Sequence, residues 1–155
     1  MIRRSVLERT GLKYDPAFRH AEDRDLWTRL APYTAITSLP KVLVHYRILP
    51  TSVCRVHRAE QRVKDAAITR REVARLLGQA PPRAALETLL NAFGRGDGGE
   101  MYPDPDFAGA ADLLFQAYRR FCQRPLAPTD QRAIERDVAW RLLVLGRYAA
   151  LHSTR

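Results

Sequence analysis

The residues best placed to do chemistry crowd into FRHAEDRDLWTRL, residues 18–30. Glu22, Asp23 and Asp25 fall within four positions, immediately before Leu26 and Leu30, whose i, i+4 spacing marks an apolar helix face. Carboxylates in the first turn of a helix face the positive end of its macrodipole, which stabilises their charged form by about 0.3–1 kcal/mol. A solvated helix start accounts for one or two of them. A reacting carboxylate held at a helix N-terminus accounts for their sitting together. Residue types alone leave both readings open.

Beyond this cluster the reactive inventory is thin. Cys54 and Cys122 lie 68 positions apart, in no metal-ligand spacing, and read as reduced, incidental thiols. The net charge is +9, carried by 23 arginines against 3 lysines. That imbalance fits either a coding bias or a phosphate-rich partner, because the guanidinium fork matches phosphate oxygens two at a time. A nucleotide-sugar, a nucleic acid or an anionic membrane surface would each qualify. With 46% apolar residues over 155 positions, the chain can bury the core of one ordinary domain, or of a small domain with a helical appendage. No apolar run reaches the length that spans a bilayer, and MIRRSVLERTG lacks the apolar core of a signal peptide. A cytoplasmic protein, in contact at most with the inner membrane surface, is the expectation.

The elements that position the cluster change character near residue 58. Residues 4–10 suit a short helix stopped by Gly11, followed by a Tyr14–Asp15–Pro16 turn. Residues 22–30 form the helix that starts with the carboxylates and closes before Pro32. Residues 34–39 and 42–48, rich in β-branched and aromatic types and separated by Pro40 and Lys41, read as two short strands. From residue 59 the pattern is helical throughout: 59–77 up to Gly78, then a helix opened by Pro81 and Pro82 and reaching Phe93. A glycine- and proline-rich loop follows over 94–105. The next helix presents Phe107, Ala111, Leu114, Phe115, Tyr118, Phe121 and Cys122 as its stripe. A last helix, capped by Thr129 or Asp130, buries Ile134, Val138, Leu142, Leu145 and Ala149. The expected architecture is an α/β portion with two short strands over 1–58, and an all-α region over 59–155. Helix dominates overall.

The order of motifs in the first portion resembles the second half of the catalytic domain of family 2 glycosyltransferases, which have the GT-A fold. The residues concerned are RRSVLERTG, then Tyr14–Asp15–Pro16–Ala17–Phe18, then EDRDLWTRL over 22–30, then Leu39–Pro40–Lys41–Val42–Leu43, and Tyr46–Arg47. The match covers about residues 1–58. Each motif is weak alone; their order and spacing together are more specific. The resemblance implies an inverting transfer of a sugar from a nucleotide-sugar donor to a glycan or lipid acceptor. By the Glu-Asp motif, Asp23 is then the general base that takes the proton of the acceptor hydroxyl, and Glu22 orients it. A positioned carboxylate of this kind contributes about 10²–10⁴-fold. Trp27 is implied on the acceptor side, or else in the core with Leu26 and Leu30. Arg29 and Arg47 are implied as partners of the diphosphate or of a carboxylate.

The chain departs from that pattern in two places. The histidine that family members usually carry after Tyr-Arg-x is replaced by Leu49; His57 could substitute for it, and His45 reads as structural. The nucleotide-binding half, with its metal-gripping Asp-x-Asp, has no counterpart. Asp104–Pro105–Asp106 has the spacing, but flanking prolines and the glycine-rich run make it a chance match. The divalent manganese or magnesium expected for the family therefore has no complete site, and no metal ligands are assigned. The expected partners are a nucleotide-sugar, an acceptor, and a missing N-terminal half or a full-length homologue, so the isolated chain is expected to be inactive. The competing reading is a small basic helical module that binds protein or nucleic acid without catalysis, a third a non-catalytic scaffold remnant. Arg70–Arg71 and Arg119–Arg120 favour the module, but the aromatics of 107–121 lie on the apolar stripe rather than between arginines, and nucleic acid is not expected.

Overall fold

A computed structural model describes residues 1–47, 49, 51–93 and 104–152 of the chain. They form seven α-helices and one short 3-10 turn: α1 Arg4–Thr10, the turn Pro16–Phe18, α2 Glu22–Leu30, α3 Val53–Val56, α4 Arg58–Leu77, α5 Arg83–Phe93, α6 Phe107–Phe121 and α7 Pro128–His152. The backbone divides into two compact units, Met1–Thr69 and Arg70–Arg155, with the division falling inside α4.

In the first unit, α1 ends where Gly11 takes a left-handed conformation (φ 65°) and donates its N–H to the Leu7 carbonyl at 2.8 Å. Asp15 caps the 3-10 turn by accepting from Ala17 N–H at 2.9 Å. The N-cap of α2, Ala21, makes no side-chain hydrogen bond, and three carboxylates, Glu22, Asp23 and Asp25, lie in the first turn, where negative charge is favoured by the helix dipole. Val6 of α1 meets Leu26 and Leu30 of α2, and Leu7 and Leu12 pack around them. Arg24 ties α2 to α4: its guanidinium lies 2.7 Å from the Asp65 carboxylate and donates to Thr69 Oγ1 at 2.8 Å.

The two expected strands do not form. Among the described residues there is no strand, and positions 35–47 are all exposed and irregular; Ile48, the end of the second expected strand, lies outside them. β-branched residues favour a strand only where a neighbouring strand accepts their backbone bonds and buries one face. The Pro40–Lys41 link cannot provide that neighbour. Two-residue hairpins need positive φ at their first central residue, and proline is locked near −65°. The α/β expectation for 1–58 is therefore replaced by helices plus an irregular segment, while the dominance of helix holds.

The second unit is helical, with Ala85 and Leu86 of α5 against Leu113 of α6, and with Val73, Leu77, Leu89 and Leu90 around them. The buried Thr88 links α5 to the start of α6, donating to the Ala84 carbonyl at 2.8 Å and accepting from Asp106 N–H at 3.0 Å. The innermost residues of α6 are Ala110 and Leu113, one position off the expected stripe, and Phe115 is exposed. The stripe expected on α7 is buried at Leu145 and half-buried at Ile134, Val138, Leu142 and Ala149. Its first residue is Pro128, which needs no hydrogen bond there, rather than a position after a Thr129 or Asp130 cap. The glycine-rich loop at 94–103 lies outside the described residues.

Candidate functional site: the start of helix α2 and its surroundings

The three carboxylates of the EDRD cluster part company in the structure. Positions 22 and 23, in the first turn, are exposed, while 25, 26 and 30 are buried. Asp25 is fully buried, and Arg29 donates to its Oδ2 from Nε at 2.8 Å, at i, i+4 spacing. The same guanidinium donates to the Lys13 carbonyl at 2.7 Å, so Arg29 joins α2 to the stretch after α1. Asp23 is exposed at the helix start, with its Oδ1 accepting from Arg24 N–H at 2.6 Å, and Glu22 is exposed beside it. Sequence spacing could have flagged the Asp25–Arg29 pair, since i, i+4 acid-base pairs meet on a helix. It could not show that this pair would be the buried one.

The other implied site residues are scattered. Trp27 is half exposed (49%) while Leu26 and Leu30 are buried, so it belongs to the outer face and not to the core. Arg47 is exposed in the irregular segment after α2. The structure thus brings Glu22 and Asp23 together, assigns Arg29 to an internal ion pair, and leaves Arg47 away from regular structure. The Asp-x-Asp match at 104–106 also has a structural explanation: Asp106 caps α6, accepting from Gly109 N–H at 2.7 Å.

The feature that the sequence did not assemble stands next to the α2 start. His20 occupies the turn before α2 with φ 69°, among the described residues the one non-glycine in the left-handed region. Its ring stacks on His57, with centroids 3.9 Å apart and planes 16° from parallel. Glu60, in the first turn of α4, lies beside both: its Oε2 is 3.8 Å from His20 Nε2 and 3.7 Å from His57 Nδ1. Gln61 donates to the His20 carbonyl at 2.7 Å and fixes this turn. His57 and Glu60 share a helix start and were legible as neighbours. His20 is 37 positions away, and only tertiary packing brings it in.

The arginine pairs that favoured a binding module are largely engaged within the protein. Arg70 lies 3.8 Å from Glu87, Arg71 bonds Glu72 at 3.0 Å, and Arg120 donates to Gln123 at 2.7 Å and to the Leu76 carbonyl. A shallow hollow of about 520 Å³ on α7, lined by Thr129, Arg132, Glu135, Arg136 and Ala139, mixes both charge signs. Among the described residues no helix is long and apolar enough to cross a membrane.

No protein-family profile, curated protein or solved structure matches the chain.

Proposed function

We propose that the chain acts in glycosyl transfer, with Asp23 as the general base toward an acceptor hydroxyl and a nucleotide-sugar as donor. The observation that carries this reading is the division of labour at the start of α2. Asp25, fully buried, is consumed in a pair with the part-buried Arg29, while Asp23 is exposed in the first turn of a helix whose later residues, Leu26 and Leu30, are fixed in the core. A carboxylate presented to solvent from a rigid helix start can take the acceptor proton as the oxygen attacks the anomeric carbon and the nucleoside diphosphate departs. The motif order quoted above supports the same assignment, with Trp27 beside it as an exposed aromatic surface for an acceptor ring.

Manganese or magnesium holding a diphosphate does not fit the residues present. Such hard ions take oxygen ligands, and the Asp104–Pro105–Asp106 carboxylate that matched the family spacing is spent capping α6. No step is therefore assigned to that ion. The reading places the chain beside a partner that carries the donor site, either a separate nucleotide-binding half or a full-length homologue. The apolar residues exposed over 36–44 support such a partner. A cytoplasmic location at the inner membrane surface goes with a lipid or glycan acceptor. The test is sugar transfer in a fusion or co-expression with a related nucleotide-binding half. Asp23→Asn should reduce turnover by about 100-fold or more, and Glu22→Gln by much less. Equal small losses would remove Asp23 from the chemistry.

A further inference from the structure

The His20, His57 and Glu60 side chains form a gathering that an ordinary ion pair does not explain. The two nitrogen-to-oxygen separations, 3.8 and 3.7 Å, are both beyond hydrogen-bonding distance. The two imidazoles stack almost parallel, their centroids 3.9 Å apart. One ligand atom from each of the three residues lies within 4.8 Å of the other two. Three ligands at about 2.0–2.1 Å around a tetrahedral ion stand about 3.4 Å apart. The carboxylate-to-imidazole distances exceed this by a few tenths of an ångström; because imidazole lone pairs lie in the ring planes, the His57 ring must also turn out of the 16° stack for both nitrogens to face one ion. His57 and Glu60 are 40% and 45% exposed and free to make that adjustment, whereas His20 is only 12% exposed and set in position by its turn.

We propose that His20, through Nε2, His57, through Nδ1, and Glu60 bind one divalent ion of the zinc type, with water as the fourth ligand. Two imidazoles and a carboxylate are the donor set that suits zinc, cobalt or nickel, and not the all-oxygen set that magnesium requires. Three protein ligands with one solvent position is the coordination of an open zinc site. The ion ties the turn before α2 to the start of α4. It thereby fixes the end of α2 that carries Glu22 and Asp23. Gln61 anchors the His20 carbonyl and so holds the turn that carries the most buried ligand. The proposal rests on the three side chains alone and stands or falls independently of glycosyl transfer.

The experiment is titration of the full chain, stripped with chelator, with zinc chloride in a calorimeter, and with cobalt chloride followed by visible absorption. One equivalent of zinc should bind with micromolar or tighter affinity, raise the melting temperature, and be indifferent to millimolar magnesium. Cobalt should show the intense visible bands of a tetrahedral ion. His57→Gln and Glu60→Gln, at partly exposed positions, should keep the helical circular dichroism of the chain and each weaken zinc binding by at least the 10–100-fold that loss of a ligand's supporting contact costs. His45→Gln should change nothing. Zinc affinity no tighter than millimolar would overturn the proposal. So would binding that survives both ligand substitutions, binding that falls with His45→Gln, or a cobalt spectrum of octahedral form.

Discussion

Asp25 and Asp23 are two positions apart and have opposite environments, and this makes them a sharp residue-scale test. Removing one member of a buried pair leaves the other charge uncompensated, at a cost of about 3–5 kcal/mol. Arg29 keeps some solvent contact, so Asp25→Ala should destabilise the first unit by about 3 kcal/mol, read as a fall in the denaturant midpoint. Asp23→Asn loses only a helix-start charge and should cost less than about 1 kcal/mol. A comparable loss from both would mean that Asp25 is not the structural member of the cluster. In the transfer assay the informative comparison is accordingly Asp23→Asn with Glu22→Gln, since an Asp25 variant would confound chemistry with folding.

Helix junctions in the second unit depend on single polar contacts. Thr88 Oγ1 receives the N–H of Asp106 at the start of α6 while bonding back within α5. Thr88→Val keeps the volume, strands that N–H and should cost about 1–2 kcal/mol in thermal or denaturant unfolding; an unchanged midpoint would mean that water serves Asp106 equally well. Where α6 meets α7, Tyr118 Oη donates to Glu135 at 3.3 Å. Partial desolvation, then the Glu135 carboxylate and Cys122, raise the Tyr118 phenol above its ordinary 10.0. A group held protonated by the fold contributes its stabilisation below its unfolded pKa, and that contribution is lost as pH rises through the higher folded value. Stability should therefore decline above about pH 10, and less steeply in Tyr118→Phe. Phenolate absorbance should show one tyrosine titrating late in the native chain and absent from the variant.

At the scale of the whole chain, the exposed stretch at 35–47 is the feature that sets its behaviour. Val42 and Val44 are each about three-quarters exposed, and Ile36, Leu39 and Leu43 more than half. A segment with no strand partner and no buried face opens at little cost. Trypsin should cut after Lys41 and Arg47 before any site within α4 to α7, as mass spectrometry of early fragments would show. Protection of both bonds in the chain alone would mean that this stretch is covered. On the proposed function, the isolated chain should bind UDP or GDP with manganese more weakly than millimolar in calorimetry. Micromolar binding would show a donor site within these residues.

The amino-acid sequence determined the longer helices well, because their signals are local, but carried no sign of the short α3 at Val53–Val56. Gly11 and Gly78 as stops, Pro82 before α5 and the charged start of α2 all depend on contacts within one or two turns. It also placed Asp23 at a helix start, since the acidic first turn is written in four adjacent residues. It overcalled the strands at 34–39 and 42–48, because β-propensity describes fit to a neighbouring surface and the chain supplies no such neighbour there. Which carboxylate of the cluster is buried was decided by the tertiary surroundings of α2, where Asp25 pairs with an Arg29 that also holds the Lys13 carbonyl. The meeting of His20 with His57 and Glu60 was decided by the fold that brings the turn before α2 against the start of α4. A separation of 37 positions leaves no local trace in the sequence, and only the folded chain makes those three side chains neighbours.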